Sequence, residues 1–156
     1  ANFDKRDDSW HSNLMWTANQ ALNGFLGSGV PHDWATHVIG HELTALWAVD
    51  HARSLAILQP TLLRSQIESK RQKLEKMGVN VFGLEHGDDL AERTIDAIER
   101  FYASLGVEVR LVEHTGDKQD AIDAVLEKLK SKGYIHLGEN KAIEVNTIEQ
   151  ILAKAL

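Results

Sequence analysis

Three histidines fall within fifteen positions of one another in the segment "DWATHVIGHELTALWAVDHA", residues 33–52: His37, His41 and His51. A helix advances about 100° per residue, so His37 and His41 share nearly one face. His51 follows ten positions after His41, where that helix should end and the chain reverse. A turn there returns the third imidazole toward the first two. Converging imidazoles suit two chemistries, the holding of a divalent metal and the movement of a proton near neutral pH. A pair of histidines four apart also occurs with neither role.

Neighbouring residues narrow the choice. The zinc-protease pattern H-E-x-x-H fails here, because the segment reads HVIGH and Val38 stands where that chemistry needs a glutamate base. Gly40 weakens a helix by about 1 kcal/mol relative to alanine. It therefore suits a place where something approaches the backbone, either a ligand or a closely packed helix. Asp50 could orient the His51 ring as a hydrogen-bond acceptor, but capping the next helix is the simpler role. The 156 residues contain no cysteine. That excludes disulfides and thiolate chemistry, fits a reducing cytoplasm, and leaves imidazole and carboxylate as the metal donors.

The elements that must position these histidines follow from apolar periodicity. The chain length and its 43% hydrophobic content are those of one globular domain. A net charge of −6 gives no basic face for nucleic acid, and no apolar run is long enough to cross a membrane. After a loose lead-in over 1–8, a first helix is expected from Ser9 or Ser12 to Gly24, and then a glycine-rich loop. Asp33 is a natural N-cap for a helix to about Trp47. A strongly apolar helix starts near Asp50, and Pro60 should end or kink it.

A charged helix follows, with Gly78 as its stop. The next is an amphipathic helix with Leu90, Ile95, Ile98, Phe101, Tyr102 and Leu105 on one stripe, closed by Gly106. Residues 107–114 read as extended coil. Another helix ends at Gly133, residues 133–145 read as a loop, and Asn146 caps a last helix. The expectation is an all-α domain of six or seven helices, with no internal repeat or second domain boundary.

The wording of "NGFLGSGVPHDWATHVIGHELTALWAVDHARSLAI" resembles the signature region of the iron-containing (group III) alcohol dehydrogenases. It looks closest to the branch of NADPH-dependent aldehyde reductases and butanol dehydrogenases. The resemblance runs on through "LGENKAIEV" and the terminal helix. It implies the multihelical C-terminal domain of the dehydroquinate-synthase-like fold, which in the family faces an N-terminal nucleotide-binding domain across a cleft that holds a divalent metal, Fe²⁺ or Zn²⁺. It further implies that His37 and His51 are metal ligands, and that His41 is a non-ligand histidine near the substrate that shapes the site or assists proton transfer.

The family's other two ligands form a D-x-x-x-H pair further ahead of the signature than the 36 residues that precede His37 here. Asp7 and His11 have that internal spacing but lie too close to His37, and read as coincidence. No glycine-rich phosphate turn follows a strand, so the nucleotide-binding domain is expected to lie outside this chain. A start at Ala1 without methionine also fits a cut or processed piece. The expected activity is hydride transfer between NAD(P)H and an aldehyde–alcohol pair in the full-length form, with the isolated chain inactive and prone to self-association as a homo-oligomer through surface that a partner domain would cover.

Two other readings stay open. One is a stand-alone helical module whose histidine cluster is not catalytic. The other is a helical metallohydrolase, with Glu42 or Asp50 as its base. Trp34, Leu43 and Trp47 could line a substrate pocket or belong to the core. Leu43 is expected in the core, and Trp47 at a pocket or domain interface. His11, His32, His86 and His114 are expected at the surface, and His136 in a loop.

Overall fold

The apolar periodicity resolves into seven α-helices among the described residues, 6–107, 109–110 and 116–156 of a computed structural model. Contacts divide the chain into two units, 1–32 and 33–156. The first holds α1 (Asp8–Leu22) and the glycine-rich turns after it. Its cap is Asp7, whose side chain accepts the Trp10 amide at 2.8 Å, rather than Ser9 or Ser12. An aspartate three residues before an amide it can reach outcompetes a serine already inside the first turn. No residue of α1 is buried.

The second unit contains α2 (Ala35–Trp47), α3 (His51–Ser65), α4 (Ile67–Phe82), α5 (Leu90–Ser104), α6 (Lys118–Ser131) and α7 (Val145–Ala155). Helix α3 is its hub, packing against α2, α4, α5 and α7. Its inward face is Ile57, Leu58 and Leu62, which join Ile39, Leu43, Val125, Leu129, Ile148, Ile151 and Leu152 in one buried core. Leu74, Ala91 and Ile95 form a second cluster where α4 meets α5.

Pro60 does not end α3, which runs on to Ser65. The missing amide bond and ring clash cost about 3 kcal/mol. Burial of Leu58 and Leu62 on either side returns about 1.5–3 kcal/mol each, and the proline itself is buried. Tertiary burial wins over the local signal.

Gly78 likewise lies inside α4, which ends instead at Gly83 with φ of 65°. A Cβ at Gly78 would overlap the Thr94 hydroxyl and stand 3.0 Å from Leu90 Cδ1. The glycine is there because α5 crosses it closely, not to stop the helix. The segment expected as a loop before α7 contains a two-stranded antiparallel pair, β1 (His136–Leu137) and β2 (Ile143–Glu144), with Leu137 facing Ile143. Both of those side chains are buried, and that burial fixes the hairpin. Glu144 rather than Asn146 occupies the N-cap position of α7.

Residues 107, 109 and 110 lie in no helix or strand. The rest of the 107–114 expectation, His114 included, falls outside the described residues, as does most of the lead-in over 1–8. Among the described residues no helix is long and apolar enough to cross a membrane.

Replacing Gly78 with alanine tests the close crossing. Helix propensity favours alanine by about 1 kcal/mol, whereas overpacking costs about 1–3 kcal/mol or more. Thr94 cannot yield easily, being β-branched, fully buried and bonded to the Leu90 carbonyl at 2.7 Å. Gly78→Ala should therefore lose about 1–2 kcal/mol net and lower the melting temperature by roughly 2–8 °C. An unchanged or raised midpoint in thermal unfolding would show that no such contact exists.

Candidate functional site

Helix α2 starts after Trp34, with Asp33 accepting the Ala35 amide on Oδ1 at 2.9 Å. The other carboxylate oxygen of Asp33 meets Lys70 Nζ at 2.7 Å, and that lysine side chain is only 12% exposed. A partly buried ion pair from α4 thus fixes the entry to the helix that carries His37 and His41. Ala48 ends the helix in the left-handed region, with φ of 52°, and Val49 is buried. The chain then reverses, and His51 becomes the first residue of α3. Asp50 stands at the N-cap position but makes no side-chain capping bond.

The reversal works because Gly40 admits α3. A Cβ at Gly40 would lie 2.9 Å from Ser54 Oγ and 3.5 Å from Leu55 Cδ2. Ser54 is fully buried there and donates its hydroxyl to the His51 carbonyl at 2.8 Å. The glycine between two histidines therefore serves close helix packing, and through Ser54 it seats the first turn that bears the third.

The three rings converge. Ring centres of His37 and His51 are 5.2 Å apart, those of His41 and His51 5.3 Å, and those of His37 and His41 6.3 Å. Burial, reinforced by the neighbouring positive charges of His51 and His41, lowers the His37 pKa, which favours the neutral ring that binds metals. Two imidazoles on one tetrahedral ion, at about 2.0–2.1 Å from each nitrogen, put their ring centres roughly 5 Å apart. His51 meets that spacing with either partner, and the His37–His41 pair does not. The donor set fits part of a metal site. Among the described residues no group of three or more His, Cys, Asp or Glu side chains could hold an ion by itself.

Around the rings, Trp34 is 46% exposed and meets His37 edge-on at 5.2 Å. Leu43 is fully buried, as its position on the apolar face requires. Trp47, expected at a pocket or domain interface, is half-buried and packs against the main core. Glu42 is 2% exposed and paired through Oε1 with Lys132 Nζ at 2.6 Å, at the crossing of α2 and α6. Sequence reasoning missed this partner, which lies ninety positions away and carries no local signal. Asp7 is committed to capping α1, and His11 Nδ1 lies 3.0 Å from the Asp7 carbonyl. His32 and His86 are exposed as expected, and His136 is exposed on β1.

Helices α2 and α3 thus bring three imidazoles together at one helix–turn–helix of a predominantly helical unit. A profile for the Fe-containing alcohol dehydrogenase family, C-terminal, matches residues 4–156. The chain is 41% identical over 146 residues to the NADPH-dependent aldehyde reductase YqhD of Escherichia coli, covering 92% of this chain and 38% of that protein. It is 31% identical over 148 residues to a probable NADH-dependent butanol dehydrogenase of Bacillus subtilis, covering 92% and 37%. A solved structure of YqhD free of substrate and cofactor superposes with a TM-score of 0.90 at 38% identity, over 97% of this chain and 40% of that one. The NADH-dependent butanol dehydrogenase A of Thermotoga maritima does so with 0.84 at 30% identity, over the same shares.

The chain belongs to the Fe-containing alcohol dehydrogenase family and matches its C-terminal, helical part. It spans about two fifths of the length of these relatives.

The Glu42–Lys132 pair gives a test of how the histidine helix is anchored. Lys132→Met leaves a buried carboxylate without its counter-charge. Because Lys132 is about half exposed, the cost should fall below that of a fully buried pair, about 1–3 kcal/mol. A fall of roughly 2–10 °C in the melting temperature is expected, and no fall would mean the pair contributes nothing to the anchor.

Proposed function

We propose that His37 and His51 supply two of the ligands of a divalent metal, Fe²⁺ or Zn²⁺, in an NAD(P)-dependent alcohol dehydrogenase or aldehyde reductase. The remaining ligands and the nicotinamide site come from a further part of a longer protein. The observation that carries the reading is the convergence of His51 on His37, in a chain whose family is that of metal-dependent alcohol dehydrogenases. When bound, the ion supplies a Lewis acid that draws electron density from a carbonyl oxygen and so eases hydride attack at carbon.

The chain's own residues then have distinct tasks. His37, half-buried and biased toward its neutral form, and His51, seated by Ser54, hold fixed directions because α2 and α3 cannot move apart without unpacking Gly40. His41 is exposed, and its ring centre is 5.3 Å from that of His51. It can hold a proton at a ring nitrogen and deliver it to the oxygen of the nascent alcohol, directly or through one water. The exposed Trp34 edge beside His37 offers an apolar wall for the carbon chain of an aldehyde.

The hydrolase alternative needs a free carboxylate base near the rings. Glu42 is taken up by Lys132 in helix packing, which argues against it as that base and leaves Asp50 alone for that reading. The named relatives use NADPH in one case and NADH in another, and the preference here belongs with the nicotinamide site. A cytoplasmic location and a homo-oligomer accord with the reading. Leu14, Met15, Trp16, Leu22, Phe25 and Leu26 are each more than half exposed, which favours self-association of the chain by itself.

Activity assays separate the roles. The 156-residue chain supplied with Zn²⁺ or Fe²⁺ should show no aldehyde-dependent NADPH oxidation. In the longer protein, His37→Ala and His51→Ala should lose metal and activity together, while His41→Ala keeps the metal and turns over about 10²–10⁴-fold more slowly. Turnover by the chain alone, or metal retained in both ligand variants, would refute the assignment.

A further inference from the structure

The chain is acidic overall, yet one cleft of the second unit reverses that sign. It holds about 480 Å³ and is lined, among the described residues, by Arg64, Arg110, Lys118 and Lys154, with Glu99 as the one acid. Small-molecule sites run from about 300 to 1,000 Å³. The cleft lies at the far end of α3 from the histidines. Arg64 stands thirteen residues beyond His51 on that helix, about 20 Å along its axis.

The four cations are not equivalent. Arg64 is committed through Nη2 to Asp96 Oδ1 at 2.8 Å and Glu99 Oε2 at 2.6 Å. Arg110, Lys118 and Lys154 make no hydrogen bond or ion pair among the described residues. Asp117 and Asp120 flank Lys118 in sequence, but neither lines the cleft. The Asp117 carboxylate is occupied in capping, accepting the amides of Gln119 and Asp120 at 2.8 and 3.2 Å. Lys118 opens the 14-residue helix α6, whose N-terminal dipole is positive, while the last turns of α3 and α7 at the cleft carry the opposite sign, so the positive potential rests on the side-chain charges.

Three cations with no acidic partner among the described residues repel one another across this cleft, and a bound anion relieves that repulsion. Val109 and Ala153 add apolar lining beside Thr61, whose hydroxyl can donate to an oxyanion. A guanidinium fork with two ammonium points matches tetrahedral phosphate oxygens better than a single planar carboxylate.

We infer that this cleft is a second ligand site, distinct from the histidines, for a small phosphate-bearing metabolite such as a phosphate monoester or diphosphate. The phosphate oxygens meet Arg110, Lys118 and Lys154, and the carbon portion rests against Val109 and Ala153. The site does not depend on the dehydrogenase reading, and it draws on none of the residues assigned there.

A two-dimensional ¹H–¹⁵N NMR titration of the chain with sodium pyrophosphate at low ionic strength tests this directly. Lys118→Gln/Lys154→Gln serves as the site variant, His51→Ala as the unrelated variant, and citrate as the carboxylate control. Both lysines are exposed, so the double variant should keep its fold, which its own spectrum reports. Saturable shifts are expected around residues 57–64, 118–121 and 153–155. The affinity should fall about tenfold or more in the double variant and with added salt, stay unchanged in His51→Ala, and be weaker for citrate. Unsaturable shifts, shifts centred on the histidines, or equal affinity in the double variant would overturn the site. Citrate binding as tightly as pyrophosphate would overturn the phosphate assignment.

Discussion

The candidate site depends on how closely α3 can approach α2. At Gly40 the missing Cβ leaves room for Ser54, which in turn ties down the first turn of α3 by its bond to the His51 carbonyl. Any larger residue at 40 would push that turn outward, and the ring of His51 would move with it. The glycine lowers the helical tendency of α2 by about 1 kcal/mol. The packed core beneath it, with Ile39, Leu43, Ile57 and Leu58 almost wholly buried, offsets that local loss several times over. Convergence of the three imidazoles is thus a consequence of backbone proximity, set before any metal is considered.

The same logic runs through the supports. Asp33 and Lys70 fix the start of α2, and Glu42 and Lys132 fix its far side against α6. Each links the histidine helix to a different neighbour, so the helix is held at its entry and along its length. One of these ties uses Glu42, which the metallohydrolase reading takes for a base. Its burial and its pairing with Lys132 identify it as an anchor. Of the three converging histidines, His51 is the member whose spacing suits either partner.

Much of this was legible in the sequence. The helices around the signature and the core role of Leu43 follow from apolar period, whereas the caps differ: Trp34 rather than Asp33 holds the N-cap position of α2, and Asp50 makes no capping bond. The family resemblance found in the same stretch is matched by the profile over residues 4–156. Pro60 and Gly78 were misread for one shared reason. Both are local breakers whose effect was overruled by tertiary contact, in one case burial of the neighbours and in the other a crossing helix. The β1–β2 pair escaped because two-residue strands carry no periodicity. Lys132 escaped because an ion pair between distant positions leaves no local trace. Trp47 shows the converse limit, since a large aromatic at a helix end reads equally as pocket wall or core, and only the fold decides.

The central claim is that His37 and His51 form part of a metal site that this chain does not complete. Calorimetric titration of the metal-free chain with Zn²⁺, repeated on His51→Ala, tests it most directly. The account predicts weak binding, with a dissociation constant of about 10 µM or higher, because two imidazoles leave most of the coordination sphere to water, and only a modest further loss on the substitution. Tight one-to-one binding abolished by His51→Ala would contradict it, since the chain would then carry a complete site of its own.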